Sequence, residues 1–154
     1  MTEEQRTAAA PIVLVIDDSD LVRLFAVHAI SAIGYAASAA ATTEEALDIV
    51  ESHPSLRAVV CELSLCPMSG PEFVRKALRN RPELRVIFMA RHSENISFRK
   101  TDPLLVKPFQ LHQLRNAIET VLNNKVPFEP LSSAERRRSV CFRSHDELGK
   151  EGIA

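Results

Sequence analysis

Three short apolar runs in this chain each stop on a charge. The run at 12–16 ends in Asp17-Asp18, the run at 58–61 ends in Glu62, and the run at 104–106 ends in Lys107-Pro108. Each is too short for a buried helix. None contains a polar residue, so none has a face to offer to water. Such runs suit strands of a parallel sheet covered on both sides. If the three are neighbours in one sheet, their charges collect at one edge, beyond the carboxyl ends of the strands. That edge is where open α/β sheets bind ligands.

The segments between the runs read as helices. Val22, Phe25, Ala26, Ala29, Ile30 and Ile33 recur at helical spacing, and Gly34 follows as a stop signal. The stretch 35–41 is a second strand poor in large side chains. Thr42-Thr43-Glu44-Glu45 fits a capping box and opens a helix through Ala46, Ile49 and Val50. A third strand at 57–61 leads into a loop at 63–70, with Cys66-Pro67-Met68-Ser69-Gly70 as turn chemistry. A helix at 71–80 presents Phe73, Val74, Ala77 and Leu78, with a proline tolerated at its first position. Strands at 85–89 and 104–106 and a helix at 110–123, with Leu111, Leu114, Ile118, Val121 and Leu122 on one side, complete the pattern. Strands alternating with helices predict a doubly wound five-stranded parallel α/β sheet. Segment 91–103 is polar and is expected to be a shortened or irregular crossover. Residues 1–10 read as a flexible lead-in, 11–124 as one domain, and 125–154 as a tail. In the tail a short helix through Arg136-Arg137-Arg138 is expected to present a solvated face.

Bulk properties exclude several function classes. With 154 residues, 45% hydrophobic and 25% charged, and a formal net charge of −1, nothing in the electrostatics argues for a nucleic-acid or membrane partner. No apolar stretch approaches membrane-span length. The first ten residues carry Glu3, Glu4 and Arg6 and no apolar signal core, so a cytoplasmic location is expected. Cys61, Cys66 and Cys141 are an odd, widely spaced set and do not read as a disulfide framework. Cys61 reads as a small buried hydrophobe, and Cys66 lies near the strand-end charges. The five histidines lack metal-ligand spacing.

Taken alone, an acidic pair after a strand serves helix capping and metal binding equally well. Asp17-Asp18, the Pro67-Met68-Ser69-Gly70 turn after Glu62, and Lys107-Pro108-Phe109 together are more specific. With them the sequence resembles the receiver domain of bacterial response regulators over residues 11–124. The resemblance implies strand order 2-1-3-4-5 and a role in two-component phosphorelay signalling rather than as an enzyme. It implies an aspartate at the end of strand three that accepts a phosphoryl group from a histidine kinase. It also implies Mg²⁺ held by Asp17, Asp18, the acceptor carboxylate (here Glu62) and the backbone carbonyl of Ser64. The lysine, matching Lys107, balances the phosphoryl charge. A hydroxyl residue ending strand four then bonds the phosphate, and an aromatic residue on strand five turns inward. Mg²⁺ wants oxygen ligands in octahedral array, and phosphoryl transfer is mostly positioning and charge neutralisation.

The chain departs from this pattern. Glu62 stands at the acceptor position, with its carboxylate about 1.5 Å farther out, an error that positioning chemistry tolerates poorly. Ala90 has no hydroxyl, Leu104 takes the place of the switching aromatic, and the 91–103 crossover is short. Three carboxylates at one edge repel, and the longer Glu62 can reach Lys107. The expectation is a receiver-like protein-binding module that works without phosphorylation, with at most a weak Mg²⁺ site. Its partner would be a histidine kinase, another response regulator or an output protein. The alternative is a receiver that accepts phosphate on Glu62 or a neighbouring aspartate. Asp18-Ser19-Asp20 also looks like the start of a haloacid-dehalogenase-type phosphatase, but Ala90 lacks the hydroxyl such an enzyme needs and the chain has no Gly-Asp pair. A nucleotide site is disfavoured because Asp-Asp-Ser-Asp would repel a pyrophosphate.

Overall fold

The computed structural model describes residues 10–91 and 104–123. The lead-in expected to be flexible, most of the 91–103 crossover, and the tail in which a helix through Arg136–Arg138 is expected lie outside the described residues. Five parallel strands form one sheet in the order β2-β1-β3-β4-β5: β1 is Val13–Ile16, β2 Ala37–Ala40, β3 Ala58–Glu62, β4 Arg85–Ala90 and β5 Leu104–Val106. Among the described residues four helices cover it: α1 (Asp20–Ala32), α2 (Thr43–Ser52), α3 (Gly70–Asn80) and α4 (Leu111–Asn123).

Strand side chains alternate between the two faces. Leu14, Ile16, Val59, Cys61, Val86, Phe88 and Ala90 pack with α2 and α3, around Val50, Phe73 and Val74. Val13, Val15, Ala58, Val60, Ile87, Met89 and Leu105 pack with α1 and α4, around Ile30, Leu114 and Ile118. Both β1 and β3 are buried along their whole length, as the unbroken apolar runs require. β3 runs one residue farther than expected, so Glu62 is the last residue of the strand and not the first of the loop. Its backbone still pairs opposite Met89 of β4.

Local signals fix the helix ends. Ser19, Thr42 and Ser69 each accept a hydrogen bond from the amide three residues on and cap α1, α2 and α3. Glu45 reaches back to the Ala41 amide at 3.1 Å, one residue before the cap. α1 ends in a Schellman motif, with Tyr35 N–H donating to Ile30 O and Gly34 N–H to Ser31 O. This turn needs φ = +101° at Gly34, which a glycine adopts without strain.

Two side chains of the helical patterns lie outside the core. Phe25, one of the residues at helical spacing, is 44% exposed. Ala26, Ala29 and Ile30 bury α1, while Phe25 lies at the rim with its ring centroid 5.7 Å from that of Phe109. Leu111, the first residue of α4, is likewise 40% exposed. Cys61 is a free, fully buried thiol, but Cys66 is disulfide-bonded. It is exposed in the β3–α3 loop, where sequence spacing alone cannot exclude pairing.

Candidate functional site

The sheet order places the ends of β1, β3 and β5 at one edge, and three of the strand-end charges meet there. Lys107 Nζ lies 2.5 Å from Asp17 Oδ2 and 2.6 Å from Glu62 Oε2. Both carboxylates are buried, and the lysine side chain is 15% exposed. Backbone hydrogen bonds hold each partner. The Asp17 amide donates to Ala40 O, the Lys107 amide to Ala90 O at 2.8 Å, and the Leu63 amide to Met89 O at 2.9 Å. Asp17 is tied further: Oδ1 accepts from the Ser19 amide at 2.8 Å, and its carbonyl accepts from Arg23 Nη1 at 2.7 Å. Arg23 also contacts Asp20.

Gly70 secures the β3 end from the other side. Its amide donates to Leu63 O at 2.9 Å, and a Cβ on it would stand 2.3 Å from Glu62 O. Only a residue without a side chain lets the first turn of α3 sit this close to the Glu62 backbone.

Asp18 stands at the exposed side of the group, with Arg91 Nη2 3.8 Å from its Oδ1, and its side chain also shares a hydrogen bond with Asp17. Asp17 has one oxygen on the Ser19 amide and the other on Lys107. Glu62 Oε1 is buried without a hydrogen-bond donor among the described residues. Ser64 lies half-buried in the loop two residues beyond Glu62. Among the described residues no group of three His, Cys, Asp or Glu side chains is placed to hold a metal ion. As arranged, these residues do not fit an octahedral ion with several carboxylate ligands.

Burial is the chief influence on both buried acids. It pushes the Glu62 carboxyl above its usual 4.5, with Lys107 opposing and Asp17 adding a smaller push. It likewise pushes Asp17 above 3.8 against the pull of Lys107 and the Ser19 amide. Repulsion among carboxylates, expected at this edge unless a cation is present, is a smaller influence than burial, and the Lys107 ammonium contacts both groups. The two carboxylates hold Lys107 above its usual 10.5 although burial works the other way.

Ala90 is buried at the end of β4, opposite Val106, and Leu104 pairs with Phe88 and packs against the α2–α3 side of the core. Sequence reasoning missed Arg91 as the partner of Asp18. Its position directly after β4 was the available signal, since that places it at the same sheet edge. It also missed a cleft of about 660 Å³ beside the site, lined by Leu21, Val22, Phe25, Arg91, Lys107, Pro108 and Phe109.

Comparison with known proteins gives a consistent result. The sensor kinase CckA of Brucella abortus is 31% identical over 120 residues, which cover 73% of this chain and 13% of that protein. The chain therefore matches only a small part of that relative's length. Three solved structures share the fold. The chemotaxis protein CheY4 of Vibrio cholerae has a TM-score of 0.67 at 22% identity, covering 73% of this chain and 99% of that one. A receiver domain protein from Clostridium thermocellum has 0.66 at 23%, covering 73% and 94%. The receiver domain of PhyR from Erythrobacter litoralis has 0.66 at 24%, covering 80% and 98%. The family model described as the response regulator receiver domain matches residues 13–119, and the chain belongs to that family, a component of two-component signalling.

Proposed function

We propose that this chain is a protein-binding receiver module that works without phosphorylation. The observation that carries the reading is the buried contact of Lys107 with Glu62, at 2.6 Å, at the position where the family accepts a phosphoryl group. Glu62 is one methylene longer than the aspartate it replaces, and its carboxylate meets the lysine with no added group. A negative charge is thereby held against Lys107 permanently. Ala90 offers no hydroxyl to bond a phosphate, and Leu104 offers no ring to reorient, so input at the site has no side chains through which to act.

The exterior supports the same reading. Leu21, Leu24 and Phe25 of α1 are 78%, 58% and 44% exposed, and Leu21 and Phe25 line the cleft together with Pro108 and Phe109. Large apolar side chains grouped at a rim mark interaction surfaces. Receiver domains interact with histidine kinases and other regulators, and a partner of that kind is the one proposed here.

The test is incubation with acetyl phosphate and Mg²⁺, followed by intact-mass measurement. The expected result is no stoichiometric adduct. A hydroxylamine-labile gain of about 80 Da, one phosphoryl group, mapped to Glu62 or a neighbouring aspartate, would establish the phospho-accepting alternative instead.

A further inference from the structure

We propose that Cys66 and Cys141 form a reversible redox pair, a disulfide that ties the tail to the β3–α3 loop and that a dithiol reductant opens. The chain holds three cysteines. Cys66 is disulfide-bonded, and Cys61 is free and fully buried, so Cys141 is the intrachain partner that remains. Cys141 lies outside the described residues; elimination assigns it, and reach permits it. Arg57, just before β3, donates to Leu122 O, which sets the end of α4 at the amino ends of the strands, while Cys66 lies beyond the carboxyl end of β3. The five residues of β3 span about 17 Å. The roughly 18 residues from Asn123 to Cys141 extend to about 60 Å at most, well beyond that separation.

The surroundings of Cys66 suit exchange. The residue is exposed, and exposed disulfides are the labile ones. The loop that carries it is anchored on both sides: Leu63 and Leu65 are buried, Ser69 caps α3, and the Gly70 amide donates to Leu63 O. Opening the bond therefore frees the tail and leaves the loop in place. Cys61 does not compete for the bond, because burial pushes its thiol well above 9.0 and leaves no thiolate to attack. In the opening step one thiolate of the reductant attacks a sulfur of the pair and displaces the other as thiolate. The second reductant thiolate then attacks the mixed disulfide. The reductant leaves as a disulfide, two electrons pass to the protein, and Cys66 and Cys141 each take up a proton. This chemistry is independent of whether Glu62 accepts phosphate.

The experiment compares the full chain equilibrated with oxidised glutathione and the full chain treated with dithiothreitol. Alkylation of the oxidised protein in denaturant should label Cys61 alone, and its digest should contain a peptide in which Cys66 and Cys141 are joined. Reduction should add Cys66 and Cys141 to the labelled set and raise the intact mass by about 2 Da, two hydrogens. Cys66 joined instead to glutathione or to a second copy of itself would overturn the pairing. In the native protein, amide hydrogen exchange of the tail should speed up on reduction while that of the 63–70 loop stays the same. Cys66→Ser and Cys141→Ser should each behave as reduced wild type without any reductant. Tail exchange identical in the two forms, or a native disulfide that resists excess dithiothreitol, would overturn the switch.

Discussion

Gly70→Ala sets two physical effects against each other, and the structure decides between them. In a helix, alanine is favoured over glycine by up to about 1 kcal/mol, which alone predicts a more stable protein. Gly70, however, is the first residue of α3, and its missing side chain faces the β3 end. An added Cβ would stand 2.3 Å from Glu62 O, 3.2 Å from Glu62 C and 3.1 Å from Leu63 Cα. Every one of these is a backbone atom, so no side chain can rotate away. Reaching even 3.0 Å from the oxygen requires a relative displacement of about 0.7 Å, in a region held by the Gly70–Leu63 and Leu63–Met89 hydrogen bonds. Overpacking of this kind costs about 1–3 kcal/mol, and occasionally more. The helix preference offsets part of it, leaving a net loss of about 1–2 kcal/mol. Urea denaturation should show this as a lower midpoint with an unchanged slope. Because the displaced atoms belong to Glu62, its contact with Lys107 should loosen as well, visible in the chemical shifts of the lysine side chain. Unchanged or raised stability would refute the claim that the β3–α3 approach dictates glycine.

Further outcomes follow from other contacts. Arg81 donates from Nη1 to the Val50 and His53 carbonyls and from Nη2 to those of Pro54 and Leu56. Arg81→Ala should therefore cost about 2–4 kcal/mol in chemical denaturation, and lysine, lacking the planar fork, should restore less than half. Burial holds the Cys61 thiol well above 9.0, with Glu62 and Asp17 adding to the effect, so site-resolved mass spectrometry should find it unalkylated in the native protein at pH 8 and labelled in denaturant. Burial also raises Glu62 above 4.5, so the folded state holds that proton more tightly than the unfolded chain. Its contribution to stability is thus fullest below 4.5 and declines as pH rises through the folded-state value. Stability measured against Glu62→Gln should fall with rising pH over that window; a rise would reverse the sign of the argument. Leu21→Glu together with Phe25→Glu should cost no more than about 1.5 kcal/mol of stability, the scale of the lost Phe25–Phe109 ring contact, and should abolish capture of the cognate partner; retained binding would place the interface elsewhere.

What the sequence made legible was set by local physics. The fully apolar runs of β1 and β3 could only be strands covered on both faces, and the glycine, serine and threonine signals at the helix ends act within a few residues. Ala37-Ser38-Ala39-Ala40 has weak strand chemistry of its own, yet β2 follows from its setting between the Gly34 turn and the Thr42 cap. Phe25 could not be placed by pattern alone, because helical periodicity reports a side chain's direction and not where the neighbouring elements stop. It shares the helical spacing of the buried residues of α1 but is 44% exposed, with its ring beside that of Phe109. Arg81 could not be read at all. Its acceptors are backbone carbonyls 25 to 31 residues earlier, and a carbonyl carries no sequence signature.

The site divides along the same line. That Asp17, Glu62 and Lys107 share an edge follows from a parallel sheet, which patterning predicts, and from the strand order, which only the family resemblance implies. Which charges face one another does not, because it depends on side-chain length and on competing partners. The Ser19 amide turns Asp17 so that one oxygen remains for Lys107, and Arg91 stands beside Asp18 at the exposed side of the group. Glu62 then faces a lysine already shared with Asp17. A shorter acid at the same strand position would leave a gap of about one methylene before the ammonium. Glutamate closes it. In the reading proposed here, that single added methylene changes the site from one that waits for an added charge to one that carries its own, and the plain side chains of Ala90 and Leu104 are what a site no longer required to switch can tolerate.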